Sequence, residues 1–225
     1  MHSPAGLTPK GERTREHILD TALTLFIQKG YHTTTMRDIA AGAECSIGLT
    51  YRYFARKEDL VLALYRRMAQ DLAAQVDMLP AAPLANRFEQ IMRFRIGQMQ
   101  PYRELFRAIL GASMSPENEL GVLGTQTADV RALSGDAFVA LVAGATDAPP
   151  QEALRDVAVV LYAAQLGMLL FWMYDGTPGH RATEQLLAFA RDMLRLGRRL
   201  LRLSPVANAF ARLARTIEPV LGPWE

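Results

Sequence analysis

The sequence predicts an all-α fold. Apolar residues recur at helical spacing along most of its 225 residues, and the periodic segments are punctuated by caps and breakers. No Asn-Gly hairpin signal and no repeat of 20 to 50 residues interrupts the pattern. Composition agrees with a globular chain, with 50% apolar and 21% charged residues. The net charge of +2 is too small to announce a nucleic-acid partner, so any basic surface must come from local placement. Cys45 is the single cysteine, which excludes an internal disulfide framework and fits a reducing cytosol. The N-terminal MHSPAGLTPKGERTRE has no signal-type apolar core, so a cytoplasmic protein is expected.

Residues 1–9 read as a mobile lead-in. From Glu12 to Lys29, Ile18, Leu19, Ala22, Leu23, Leu25 and Phe26 recur helically, and Gly30 supplies a stop. Thr35 followed by Asp38 has the form of a capping box, predicting a short helix at about 36–42. Ser46 offers a second N-cap. After Phe54, Glu58 and Asp59 suit the positive end of a helix, and Leu60, Val61, Leu64, Tyr65, Met68 and Leu72 recur towards Val76. LPAAP at 79–83 is a strong breaker and predicts a boundary. Beyond it, helices are predicted over 84–100, 102–112, 126–145, 151–174 and 181–203, with DGTPGH as a tight turn at 175–180. A shorter helix is expected at 206–217, ahead of Pro219. The organisation is therefore a flexible segment 1–9, a head 10–57, a connecting helix 58–77, a body 84–203 and a tail 204–225.

SIGLTYRYF at 46–54 is ambiguous, because its alternation and its aromatic content favour a strand. Its context decides otherwise. Three short helices, with the second and third separated by about three residues, form a helix-turn-helix pattern. In that arrangement the last helix enters the DNA major groove while the one before it crosses the backbone. Thr50 and Phe54 share an inward face, leaving Ser46, Gly48, Leu49, Tyr51, Arg52 and Tyr53 outward or near it. Gly48 permits close backbone approach, tyrosine hydroxyls bond phosphate oxygens, and Arg52 suits a phosphate or a guanine edge. Lys57 adds a charge at the start of the next helix.

The combination T-x-R-x-I-A, S-x-G-x-x-Y-x-Y-F and K-E-D-L resembles the tetracycline-repressor (TetR) family of transcriptional regulators. The matching residues are Thr35, Arg37, Ile39, Ala40, Ser46, Gly48, Tyr51, Tyr53, Phe54, Lys57, Glu58, Asp59 and Leu60. The likeness covers residues 12 to about 65. Candidate DNA contacts are Thr35, Arg37, Ser46, Ile47, Gly48, Leu49, Tyr51, Arg52, Tyr53 and Lys57. There are departures. Ala43-Glu44-Cys45 replaces the usual Ala-Gly-Val turn, which puts a non-glycine residue in a left-handed position. Thr50 stands where a larger aliphatic is common, Arg56 replaces a Ser or Asn N-cap, and Ile47 and Leu49 replace smaller or more polar residues.

The resemblance implies a homodimer whose two recognition helices read a pseudo-palindromic operator in double-stranded DNA, with a C-terminal domain for dimerisation and a small-molecule effector. The eighteen uncharged residues from Val157 to Tyr174 touch the lower limit of a membrane span. Bracketed by Asp156 and Asp175, and carrying Gln165, they read instead as a buried helix. With 181–203, where Leu186, Leu187, Phe189, Ala190, Met193, Leu194, Leu200 and Leu201 recur, they form the expected dimer seam. Candidate ligand contacts are Phe94, Met99, Tyr102, Phe106, Met114, Phe138, Tyr162 and Gln165, a set that suggests a largely apolar ligand. Core packing accounts for each of them equally well.

His2, His17, His32 and His180 are scattered, so no metal site is expected, and no cofactor or catalytic residue either. No Gly-rich phosphate loop, nucleophile elbow or carboxylate pair points to an enzyme. Cys45 reads as the filler of a Val-sized hole, with redox response as its alternative. Lys10, Arg13 and Arg15 are either a solvated helix start or an arm reaching phosphate or the minor groove. The alternative to a regulator is a helical ligand-binding or scaffolding protein with a vestigial head.

Overall fold

Local caps and stops place the helices. In the computed structural model, which describes residues 8–112, 124–200 and 204–221, α1 spans Pro9–Lys29. The Thr8 side chain accepts from the Gly11 N–H, Pro9 opens the helix, and Gly30 closes it at φ +88°, a left-handed position that glycine takes without a Cβ clash. The remaining helices are α2 (Met36–Gly42), α3 (Ile47–Tyr53), α4 (Lys57–Asp77), α5 (Leu84–Met99), α6 (Arg103–Ala112), α7 (Ala128–Ala143), α8 (Gln151–Tyr174), α9 (Arg181–Leu200) and α10 (Ser204–Leu221). No strand occurs among the described residues; Ala82 and Ala145 form only an isolated bridge. The fold is all-α.

The chain divides into two compact units. One is Met1–Tyr65 with Pro101–Gly121, and the other is Arg66–Gln100 with Val122–Glu225. In the first, Ile18, Phe26, Ile39, Phe54 and Leu60 are buried; in the second, Phe88, Ile91, Phe138, Leu141 and Trp172 are. The break at 79–83, where a domain boundary is expected, falls inside the second unit. There the Thr146 N–H donates to the Ala82 carbonyl at 3.0 Å, and the Leu84 N–H donates to Asp147 Oδ1 at 2.7 Å. A proline-rich turn ends a helix, but it does not separate domains when its polar backbone is tied to a neighbouring loop.

In the second unit α8 packs against both α7 and α10, while α5 packs against α9. The C-terminal helix is longer than the short helix expected at 206–217, and it includes Pro219. Its last turn is held from outside: Leu221 and Ala214 are buried, Arg155 pairs with Glu218 at 2.8 Å, and Arg131 Nε donates to the Leu221 carbonyl at 2.6 Å. These tertiary contacts outweigh the one backbone hydrogen bond that Pro219 forfeits. Helix α8 is long and apolar enough to cross a membrane, yet more than half of its most apolar window is buried within the protein.

Asp175 organises the turn from α8 to α9. One carboxylate oxygen accepts from the Thr177 N–H (2.9 Å) and hydroxyl (2.6 Å). The other accepts from the Thr183 N–H (2.9 Å) and hydroxyl (2.6 Å). The Thr177 and Thr183 hydrogen bonds hold this carboxyl well below the usual carboxylate range. A depressed folded-state pKa contributes stability that is present above about pH 4 and lost as pH falls further. Asp175→Asn is accordingly expected to lower the thermal midpoint at neutral pH and to flatten the acid decline of that midpoint. Melts followed by circular dichroism from neutral pH to about pH 2 check both, and an equally steep acid decline in the variant would refute the assignment.

Candidate nucleic-acid interface and effector site

The helix-turn-helix is built from two short helices fastened at their N-termini. The Thr35 side chain accepts from the Asp38 N–H at 3.2 Å, and Asp38 Oδ2 accepts from the Thr35 N–H at 2.8 Å and its hydroxyl at 2.7 Å. This reciprocal capping box draws the Asp38 pKa down, the Thr35 hydrogen bonds being the largest cause. At α3, Ser46 Oγ accepts from the Leu49 N–H at 3.2 Å. Between the helices Glu44 sits at φ +51°, the strained non-glycine turn that the sequence predicts. Cys45 beside it is half-buried, and its N–H donates to the Ala40 carbonyl at 2.9 Å.

Inward, α3 commits Thr50 and Phe54, both buried. The Thr50 hydroxyl donates to the Ser46 carbonyl at 3.2 Å, so a polar side chain is satisfied where an aliphatic is commoner. The Arg15 guanidinium lies 4.9 Å from the centre of the Phe54 ring. Outward, Ile47 and Tyr51 are 40% and 49% exposed, Gly48 and Arg52 are exposed, and Leu49 and Tyr53 are half-buried. Thr35, Arg37 and Ser46 are also exposed. A Cβ added at Gly48 would meet open space, so the fold has no need of glycine there.

Lys57 is placed differently from a free phosphate ligand. Its ammonium donates to the Tyr31 carbonyl at 2.8 Å and lies 4.6 Å from the Tyr31 ring centre. The Tyr31 hydroxyl donates to Glu58 at 3.2 Å. Burial, with the neighbouring Glu58 charge second, pushes the Tyr31 pKa up. At the start of α4, Asp59 accepts from the Arg56 N–H at 3.1 Å and pairs with its guanidinium at 3.4 Å. The cap absent from position 56 is thus supplied backwards by Asp59.

The ligand candidates separate into two groups. In the first unit Phe106 stacks on Tyr65, with ring centres 5.9 Å apart, and meets Tyr102 edge-on at 6.2 Å; burial pushes the Tyr65 pKa up to about 12. In the second unit Phe138 meets Tyr162 at 5.5 Å and Phe88 at 6.5 Å, both edge to face. Gln165, one turn further along α8, is 1% exposed, and its amide oxygen has no hydrogen-bond partner. Met99 is buried and Phe94 half-buried. Met114 and, at the expected seam, Leu201 lie outside the described residues.

Sequence reasoning missed three arginines in the second unit. Buried Arg87 donates to the carbonyls of Leu141 (3.0 Å), Leu79 (3.2 Å) and Pro80 (2.9 Å). Buried Arg131 donates to the carbonyls of Leu221 and Gly124, both at 2.6 Å, and to the Thr127 hydroxyl at 2.7 Å. Half-buried Arg95 donates through Nη1 to the Met68 carbonyl (3.2 Å) and to Gln98 Oε1 (2.6 Å). Its Nε is shut away from solvent without an acceptor. Burial of the guanidinium lowers its pKa to about 10. A signal existed: Arg87 and Arg95 each stand four residues from Ile91, on its buried stripe. Among the described residues no three His, Cys, Asp or Glu side chains gather as a metal site.

Residues 18–64 match the family described as bacterial regulatory proteins, tetR family. The chain is 35% identical over 72 residues to the transcriptional regulator HbdR of Aromatoleum sp. (strain CIB), covering 30% of this chain and 31% of that one. It is 26% identical over 181 residues to the transcriptional repressor KstR of Mycolicibacterium smegmatis, covering 76% and 81%. With HbdR and comparable regulators the shared stretch spans less than half of the relative's length. The fold is similar to the crystal structure of a tetR-family regulator from Streptomyces coelicolor, with a TM-score of 0.61 and 22% identity, covering 94% of this chain and 92% of that one.

The turn geometry makes a direct prediction. Glu44→Gly is expected to stabilise the protein by about 0.5–1 kcal/mol through release of the left-handed strain. Ser46→Ala is expected to cost about 1 kcal/mol through loss of the α3 cap. Urea denaturation midpoints measure both, and a destabilised Glu44→Gly would show that the side chain holds a needed contact.

Proposed function

We propose that the chain, which matches the tetR family of bacterial regulatory proteins over residues 18–64, is a homodimeric, cytoplasmic repressor released from a pseudo-palindromic operator by a small, largely apolar ligand. Residues 10–57 form the DNA-reading head, 58–77 connect it, and 84–203 carry effector binding and dimerisation. The observation that carries the reading is the division of α3. Its inward face is spent on Thr50 and Phe54, while Ile47, Gly48, Tyr51 and Arg52 are turned to solvent. Exposed tyrosine and isoleucine have no role in the core, whereas in a major groove they meet base edges and thymine methyl groups. Arg37, Arg52 and Thr35 serve phosphates.

Dimerisation is supported by exposed apolar stripes on the last long helices. On α8, Ala164, Gly167, Leu170, Phe171 and Tyr174 are exposed at helical spacing. On α9, Phe189 and Leu196 are 60% and 66% exposed, with Met193 between them. Spacings of three and four residues along both helices suit a packed helix pair meeting its symmetry copy. A ligand acts by binding better to the dimer whose head spacing no longer fits the operator.

Sequences selected from randomised DNA should be palindromic, and their binding should weaken steeply with salt. Tyr51→Ala should cost about 1–3 kcal/mol and relax specificity, and Arg52→Ala should reduce the salt slope by about 1. Gly48→Ala should leave thermal stability equal or higher, since alanine favours a helix, yet weaken operator binding. No selectable sequence, or unaltered binding by all three variants, would defeat this reading. Phe189→Glu with Leu196→Glu should convert the dimer to a monomer in sedimentation; a parent that is itself monomeric at micromolar concentration ends the seam argument.

A further inference from the structure

Three arginines are enclosed in the second unit, and they differ in one respect. Arg87 and Arg131 have their Nε hydrogens taken by main-chain carbonyls. Arg95 does not: Nη1 is engaged by Met68 and Gln98, and Nε has no acceptor although it is closed to solvent. Asp71 accepts from Gln98 Nε2 at 2.9 Å and so reaches Arg95 through a neutral amide. A desolvated guanidinium with an unsatisfied donor is costly to retain. Such a group is stabilised most by an anion, which supplies both charge and acceptors.

Its surroundings suit a ligand with an apolar body. Helices α5, α7 and α8, which carry Arg95, Phe138 and Tyr162, pack on one another. Phe138 meets Tyr162 edge to face, and Phe88 meets Phe138 in the same way. Electrostatically Arg95 is coupled to Tyr162, whose phenol is held neutral chiefly by burial. One turn along, Gln165 presents an amide oxygen that lacks a donor. A buried cation with an open N–H and a buried amide with an open acceptor thus stand on helices that also carry these aromatic rings.

We propose that the effector is an amphiphilic carboxylate, whose apolar body lies against Phe138 and Tyr162 and whose carboxylate accepts from Arg95 Nε. This rests on the effector-binding reading above and narrows its ligand from largely apolar to apolar with one anionic end. Arg95 discriminates charge, Phe138 and Tyr162 supply the apolar contact, and Gln165 accepts from a hydroxyl or N–H on the ligand body.

The test uses the full chain and matched probes: decanoate against decanamide, and 2-naphthoate against 2-naphthamide, by isothermal titration calorimetry. At least one carboxylate should bind tenfold or more tightly than its amide. Arg95→Gln should erase that preference while keeping amide affinity, and Arg95→Lys should restore part of it. Should Arg95→Gln fail to fold, the arginine Nε–H resonances of the ¹⁵N-labelled parent give the answer, since one should shift downfield with carboxylate and not with amide. Amides that bind as well as carboxylates, or a preference that survives in Arg95→Gln, overturn the proposal while leaving an apolar effector standing. Binding of neither class by a chain that still selects a palindromic DNA sequence overturns it too, and leaves the DNA-reading function intact.

Discussion

Seven residues of helix are too few to persist in water on their own hydrogen bonds, and the helix-turn-helix head depends on how that deficit is met at α3. Ser46 closes one end, and Thr50 with Phe54 anchors the inward face. The left-handed backbone at Glu44 sets the angle at which the chain enters. Because the helix is held from behind, Ile47 and Tyr51 are not spent on the core. Exposure of Ile47 and Tyr51 is therefore affordable to the fold, and available for contact with another molecule. The neighbouring α4 is fastened by a similar economy, with Lys57 lying on Tyr31 and Glu58 accepting from its hydroxyl.

The second unit solves a different problem. Helix α8 is apolar nearly all round, and a helix of that kind must be covered on every side or meet a partner. Helices α7 and α10 cover much of it, leaving the stripe that ends in Phe171 and Tyr174. Into the same interior the protein admits arginines. Carbonyl oxygens at the ends of neighbouring elements satisfy Arg87, and Arg131 reaches the last carbonyl of α10. These two staple loops and helix ends to the core. Arg95 differs from both in that its buried Nε has no acceptor.

Much of the local architecture was legible. Thr35 with Asp38, Ser46, Gly30 and the Glu44 turn each act within four residues of themselves, and short-range chemistry of this kind leaves its mark in the spelling of the chain. The extent of α10 was not legible, because Pro219 reads as a terminator until Arg155, Arg131 and the buried Leu221 are seen holding the turn that contains it. From the sequence Lys57 reads as a cation for phosphate, because its partner Tyr31 is remote along the chain. The ligand candidates formed one set on composition, yet Tyr102 and Phe106 gather around Tyr65 while Phe138, Tyr162 and Gln165 belong to the other unit.

By itself, then, the sequence determined the helices, their caps and the identity of the head. Periodicity and capping are set by residues three or four positions apart, and the motif around Ser46, Gly48, Tyr51 and Tyr53 is continuous. Only the tertiary structure decided which polar groups are shut away without partners, which apolar stripes remain open, and how far the last helix runs. Each of those depends on what lies across a packed interface, often many residues distant, and such distances carry no signature in the local pattern of the chain.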